Sequence, residues 1–147
     1  MPPQDTTRRG GRGGYHGVPH TADLRVEAWA PTREECLAQA VRGVLASCLD
    51  LAGAAGVRRR EVVLRADTDE DLLADLLEEV IYWLDTADEI PVDVELITVP
   101  GGLRAGLDMA DARSLPATGA ALKAVTLHDL RFGGGPDGWR CAVTLDV

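Results

Sequence analysis

With 147 residues, 24 acidic against 15 basic side chains and a formal charge of −9, the chain has the size of a single, acidic domain. Apolar residues make up 46% and charged residues 27%, close to globular averages, which excludes wholesale disorder. An isoelectric point near 4.7 argues against holding nucleic acid by phosphate neutralisation alone. No apolar run approaches the roughly 18 residues of a membrane-crossing helix, and the start of the chain lacks the apolar stretch of a signal peptide. The expectation is a soluble cytoplasmic domain with no membrane partner.

Residues 1–14 read as a disordered basic Gly/Arg tail, and 15–147 as one domain. Three Arg against one Asp give the tail +2, leaving −11 on the remainder. From Asp23 the segment DLRVEAWA alternates, with Leu24, Val26, Ala28 and Ala30 on one face, as in a half-buried strand. Thr32 followed by Glu35 fits a capping box opening a helix. Leu37, Val41, Val44, Leu45 and Cys48 then recur at helical spacing, and Gly53 with Gly56 would stop it. A strand is expected over 60–66, then a helix over about 69–84 with Leu72, Leu73, Leu76, Leu77, Val80 and Leu84 on one stripe. Asp69, Glu70 and Asp71 suit the positive end of its dipole.

The last third reads as strands: 92–99, a turn at Pro100-Gly101-Gly102, a strand beginning at Leu103, another over 120–132, and a last one after the Gly-rich turn at 133–138. The order is β-α-β-α-β-β-β-β. It predicts an α+β layered domain with two helices packed on a mostly antiparallel mixed sheet. Three cysteines with no CxxC pair read as reduced thiols; Cys36 and Cys48, if on one helix, stand about 18 Å apart at ~1.5 Å per residue, too far to bridge.

No P-loop, GxSxG elbow or HExxH helix is present. What stands out are polar clusters at strand ends. His20-Thr21-Ala22-Asp23 opens the first strand; Lys123, His128 and Asp129 lie in one late strand; Asp146 precedes the terminal Val147 and its α-carboxylate. If the first and last strands lie side by side and antiparallel, Asp23, Asp146 and the terminal carboxylate converge. Three carboxylates repel one another, and a hard divalent cation with oxygen ligands would relieve that. The plain alternatives are a turn residue at Asp23 and a solvated terminal acid at Asp146. For His128 the alternative is a hydrogen-bonded strand histidine, and for Glu79 a solvated flank of the leucine stripe.

HTADLRVEAWAPTREECLAQA, DLLEEVIYWLDTAD, LKAVTLHDLRF and WRCAVTLDV together resemble the opening, central helix and closing hairpin of archease proteins, from His20 to Val147. The resemblance implies a small acidic α+β accessory protein, not itself an enzyme. Its partner would be the tRNA-splicing 3′-phosphate RNA ligase, whose guanylylation and multiple turnover it promotes in tRNA splicing and RNA repair. It would meet RNA and GTP only through that ligase. It also implies a divalent metal, Ca²⁺ with Mg²⁺ or Mn²⁺ as alternatives, on Asp23, Asp146 and Val147, with Asp129 a further candidate. Lys123, Glu79 and His128 would carry activation roles. Two other readings stand beside it: a metal-dependent phosphoester hydrolase using Asp23, His128, Asp129 and Asp146, and a general interaction or chaperone module.

Overall fold

The computed structural model describes residues 13–19, 23–119 and 121–147, leaving aside the side chains of Pro19 and Leu127. The basic tail expected up to Gly14 lies largely outside the described residues, as do His20, Thr21 and Ala22. The elements in chain order are β1 (Gly14–Pro19), β2 (Asp23–Ala30), α1 (Arg33–Ala46), β3 (Arg58–Arg65), α2 (Asp69–Ala87), β4 (Glu89–Val99), β5 (Gly102–Asp111), β6 (Ala124–Gly135) and β7 (Gly138–Asp146), with a single 3₁₀ turn after β5.

The expected single mixed sheet is instead two separate antiparallel sheets, ordered β1-β2-β7-β6 and β3-β5-β4. A strand-helix-strand pattern such as β3-α2-β4 ordinarily yields parallel neighbours. Here β3 and β4 do run the same way, but the β4–β5 hairpin inserts β5 between them. The tight turn rests on Gly101 at φ 73°, a conformation that favours glycine. Pro91 sits in β4 where the register shifts, on an edge strand, where its missing N–H is tolerated.

β1 was not expected. Its sequence, GYHGVP, holds two Gly and a Pro, poor strand formers, yet an edge position against β2 accepts them. α1 also ends earlier than the glycines suggest, at Ala46. Beyond it Leu49 bridges Ala117, Asp50 N–H donates to the Pro116 carbonyl, and Thr118 N–H donates to Cys48. Tertiary pairing thus takes over backbone groups that another helical turn would need.

The two helices share one core with both sheets. α1 packs across β1, β2 and β7 and reaches β4, while α2 packs on β6, β3 and β4. Each helix opens on a threonine cap: the Thr32 hydroxyl accepts from Glu35 N–H at 3.1 Å, and the Thr68 hydroxyl from Asp71 N–H at 3.0 Å. The predicted stripes face inward, with Leu37, Val41, Val44 and Leu45 of α1 and Leu72, Leu73, Leu76, Leu77 and Val80 of α2 buried. α1 approaches β1 and β2 so closely at Gly43 that a Cβ there would meet Val26 Cγ1 at 2.8 Å. Cys36 and Cys141, distant in sequence, bring their sulfurs to 3.6 Å between α1 and β7. Their mutual hydrogen bond and their burial push the Cys141 thiol up, and burial does the same for Cys48, so both stay protonated thiols.

A polar clamp fixes the helix starts to the end of β4. Arg33 donates to Asp69 at 2.7 Å and to the Thr98 hydroxyl at 3.0 Å, and Thr98 donates to Glu34 at 2.6 Å. Burial pushes the Glu34 carboxyl up, but hydrogen bonds from Thr98, from its own backbone N–H and from Arg33 outweigh it and hold the group below its ordinary 4.5. A depressed carboxylate adds stability that is complete above the unfolded value and is lost as pH falls through the folded one. Urea unfolding from pH 6 down to pH 2 should show the native chain losing stability below about 4.5. The Glu34→Gln variant should lose less over that interval; equal slopes would remove Glu34 from the account.

Candidate functional site at the paired ends of β2 and β7

In the β2–β7 ladder Asp23 stands directly opposite Asp146. Buried Val26, Ala28 and Ala30 in β2, and Cys141, Val143 and Leu145 in β7, occupy the alternate positions, so both carboxylates project from the outward face. Directly opposed side chains start from Cβ atoms about 5 Å apart, a spacing at which like charges repel. Val147 is the next residue after Asp146 in the chain. The opposition expected from the strand order is therefore realised in register.

The donor set is all oxygen, which suits a hard cation and not zinc. Among the described residues no three Asp, Glu, His or Cys side chains cluster for a metal.

The other candidates distribute unevenly. Lys123, expected within the last-but-one strand, instead lies one residue before β6, and its backbone N–H donates to the Asp146 carbonyl at 3.0 Å. His128 and Asp129 were expected on a regular strand. They fall in a bulge: Thr126 pairs with Thr144 and Arg131 with Ala142, leaving 127–130 without register partners. The bulge turns on Asp129 at φ 57°, one of the few left-handed positions that Asp tolerates. His128 N–H donates to the Thr126 hydroxyl at 3.0 Å. Its ring lies 3.2 Å from the Asp129 carboxylate and is 83% exposed, so the two side chains engage each other in solvent. Glu79 sits half-buried in the middle of α2, and its side chain makes no hydrogen bond or ion pair among the described residues.

One residue of this neighbourhood escaped the sequence reading. Arg25 is next after Asp23 on the same face. It donates to the Thr144 hydroxyl at 3.4 Å and to the Asp129 carbonyl at 3.3 Å, and its Nε lies 3.6 Å from Glu27. It therefore ties the bulge to the strand pair carrying the carboxylates. Its parity with Asp23 was legible; the long-range carbonyl it holds was not.

The archease protein family model matches residues 15–147. The chain belongs to the archease family. A probable protein archease of Mycobacterium tuberculosis is 56% identical over 134 residues, covering 91% of this chain and 75% of that protein. A protein archease of Methanosarcina barkeri is 31% identical over 141 residues, covering 90% and 95%. The fold matches the solution structure of a Methanobacterium thermoautotrophicum protein with a TM-score of 0.72, at 20% identity and covering 91% and 99% of the two chains. It also matches the crystal structure of a Thermotoga maritima archease described as a possible chaperone, with a TM-score of 0.63, 22% identity and coverage of 88% and 94%. No helix of the described residues of this archease is long and apolar enough to cross a membrane.

Replacing Arg25 with Ala should loosen the bulge without unfolding the sheet, because the hydrogen bonds lost are partly solvated and worth about 1 kcal/mol together. Backbone amides of residues 128–131 should then exchange with solvent roughly fivefold faster while those of β4 and β5 keep their rates. Unchanged exchange at 128–131 would show that the bulge holds itself.

Proposed function

We propose that this archease is a non-catalytic activator of the tRNA-splicing 3′-phosphate RNA ligase, promoting its guanylylation and so its multiple turnover in tRNA splicing and RNA repair. The observation that carries the reading within this chain is the direct opposition of Asp23 and Asp146, with Val147 following Asp146 in the chain. Two like charges held at one strand end cost the fold stability and do nothing for its core, so the arrangement is best understood by what it binds. Asp23, Asp146 and the Val147 carboxylate would hold a divalent cation, Ca²⁺ with Mg²⁺ or Mn²⁺ as alternatives, which supplies positive charge toward triphosphate oxygens. The strand ends present these oxygens on a rigid ladder, and Arg25 braces the neighbouring bulge. Lys123 is carried alongside by its backbone bond to Asp146. The acidic surface suits docking beside a basic, phosphate-binding cleft, the setting in which a ligase handles GTP and RNA ends. Glu79, His128 and Asp129 are assigned no part in holding the cation.

The test is multiple-turnover ligation by the cognate ligase with GTP and a divalent metal, without partner, with substoichiometric native protein, and with Asp23→Ala or Asp146→Ala. The native chain should raise turnover at least tenfold. Either variant should lose that gain while keeping or raising its melting temperature, since a like-charge opposition has been relieved. Full stimulation by both variants would overturn the carboxylate site, and no stimulation by the native chain would overturn the activator role. Hydrolysis of a phosphoester by the protein alone would replace it with the hydrolase reading.

A further inference from the structure

The middle of the outward face of the β1-β2-β7-β6 sheet carries charge of the opposite sign to the chain as a whole. Beyond the Asp23–Asp146 end, a shallow cavity of about 290 Å³ opens over the middle of the sheet. Arg25, Arg131 and Arg140 line it together with His16, Glu27 and Trp29. Glu27 is the single acid among these lining groups, and it is already engaged, at 2.6 Å by His16 and 3.6 Å by Arg25. Arg131 and Arg140 are exposed and make no ion pair among the described residues. Two free guanidinium forks thus point from adjacent strands toward one concavity, in a protein of net charge −9. Their planar donor pairs match the two oxygens of a phosphate better than a point charge would.

The wall of the cavity is aromatic. The Trp29 ring packs 5.6 Å from the His16 ring at a 48° tilt and lies next to Arg140, its cross-strand partner. Cations that follow a backbone, beside an aromatic side chain on which a base can stack, are what single-stranded nucleic acid requires. An acidic protein segment would use the arginines and leave the tryptophan idle.

We propose that this face holds the phosphodiester backbone of single-stranded RNA, with Arg131 and Arg140 on phosphates and Trp29 against a base. The choice of RNA rests on the ligase reading above, and it goes beyond that reading, because it gives the activator its own hold on the substrate strand. Two phosphate-binding arginines give modest affinity, strengthened when the ligase holds the same strand and raises the effective concentration.

Binding is measured on the protein alone, by fluorescence anisotropy with a labelled 12-nucleotide RNA at about 50 mM salt, so that the outcome does not depend on ligase activation. The native chain should bind, and an Arg131→Glu/Arg140→Glu variant should bind at least tenfold more weakly. The milder Arg131→Gln/Arg140→Gln variant should lose affinity in the same direction, with the slope of log affinity against log salt shallower by about 1.4, at ~0.7 for each lost phosphate contact on a single strand. Both variants should keep the native melting temperature and should still stimulate guanylylation in the absence of RNA. The proposal is overturned if native protein fails to bind RNA, or if the variants bind as the native chain does. It is equally overturned if Arg8, Arg9 and Arg12 changed to Gln abolish binding by themselves, which assigns it to the N-terminal segment. Competition by polyglutamate as effective as by unlabelled RNA would assign the face to an acidic polypeptide instead.

Discussion

A slip of one residue between β2 and β7 would turn Val26, Ala28 and Ala30 out to water and carry Asp23 and Arg25 into the core, because successive side chains on a strand point to opposite faces. Burial therefore sets the register, and the register sets the site: the constraint that opposes Asp23 to Asp146 is the one that buries Val143 and Leu145 on the face of β7 that α1 covers. The pair joins an early strand to the last one, and α1, leaving β2 directly, closes over both. Cys36 reaches the Ala28 carbonyl and the Cys141 sulfur from above. The carboxylates are thus held by apolar packing on the opposite face of the same two strands and need no polar scaffold of their own.

The second sheet is built differently, and the contrast explains how the arginines are used. Arg60 and Arg58 close on the nearly buried Glu89 at 2.8 and 3.3 Å, with Arg60 also lying 5.6 Å over the Trp83 ring. Arg59 spans Glu95 and Asp108 across β4 and β5. Arg33 joins the starts of both helices. In an acidic chain these cations find carboxylates at every turn, and their fields cancel locally. Arg131 and Arg140 lie instead directly opposite uncharged residues, Arg131 facing Ala142 and Arg140 facing Trp29 and Gly133. Sheet neighbours, not composition, decide which cations remain available to a ligand, and a net charge of −9 says little about them.

Much of this was readable wherever a local rule and the tertiary structure agreed. The cap at Thr32 and both apolar stripes satisfy hydrogen bonds and burial that only the neighbouring residues determine, and the alternation in β2 required only that one face be covered. The opposition of Asp23 and Asp146 was legible because an antiparallel pair necessarily brings the start of one strand to the end of the other. The misses share a cause. β1 is an edge strand stabilised by its partner and not by its own composition. The split into two sheets depends on β5 entering between β3 and β4, which hairpin signals alone do not reveal. The bulge at His128–Asp129 preserves strand-like alternation in the sequence, since nothing local announces that Asp129 takes a left-handed conformation. The approach of Cys36 to Cys141 is a product of helix docking, as is the bond from Arg25 to the Asp129 carbonyl.

The same two strands carry an acidic end and a cationic middle on one face, and this sign change within a few residues is a physical statement about what the face can bind. A polyanion lying over Arg131 and Arg140 is attracted there and repelled at Asp23 and Asp146, unless a divalent cation stands between the carboxylates and its phosphates. A nucleic-acid strand could therefore run on past Arg25 only when the strand-end oxygens are neutralised. On the function proposed above, the two features would not act as independent sites that happen to share a sheet. Occupation of the carboxylates changes the field along the whole face, so loading of the cation and retention of the strand would favour each other by mutual linkage, with each raising the affinity for the other by the same factor.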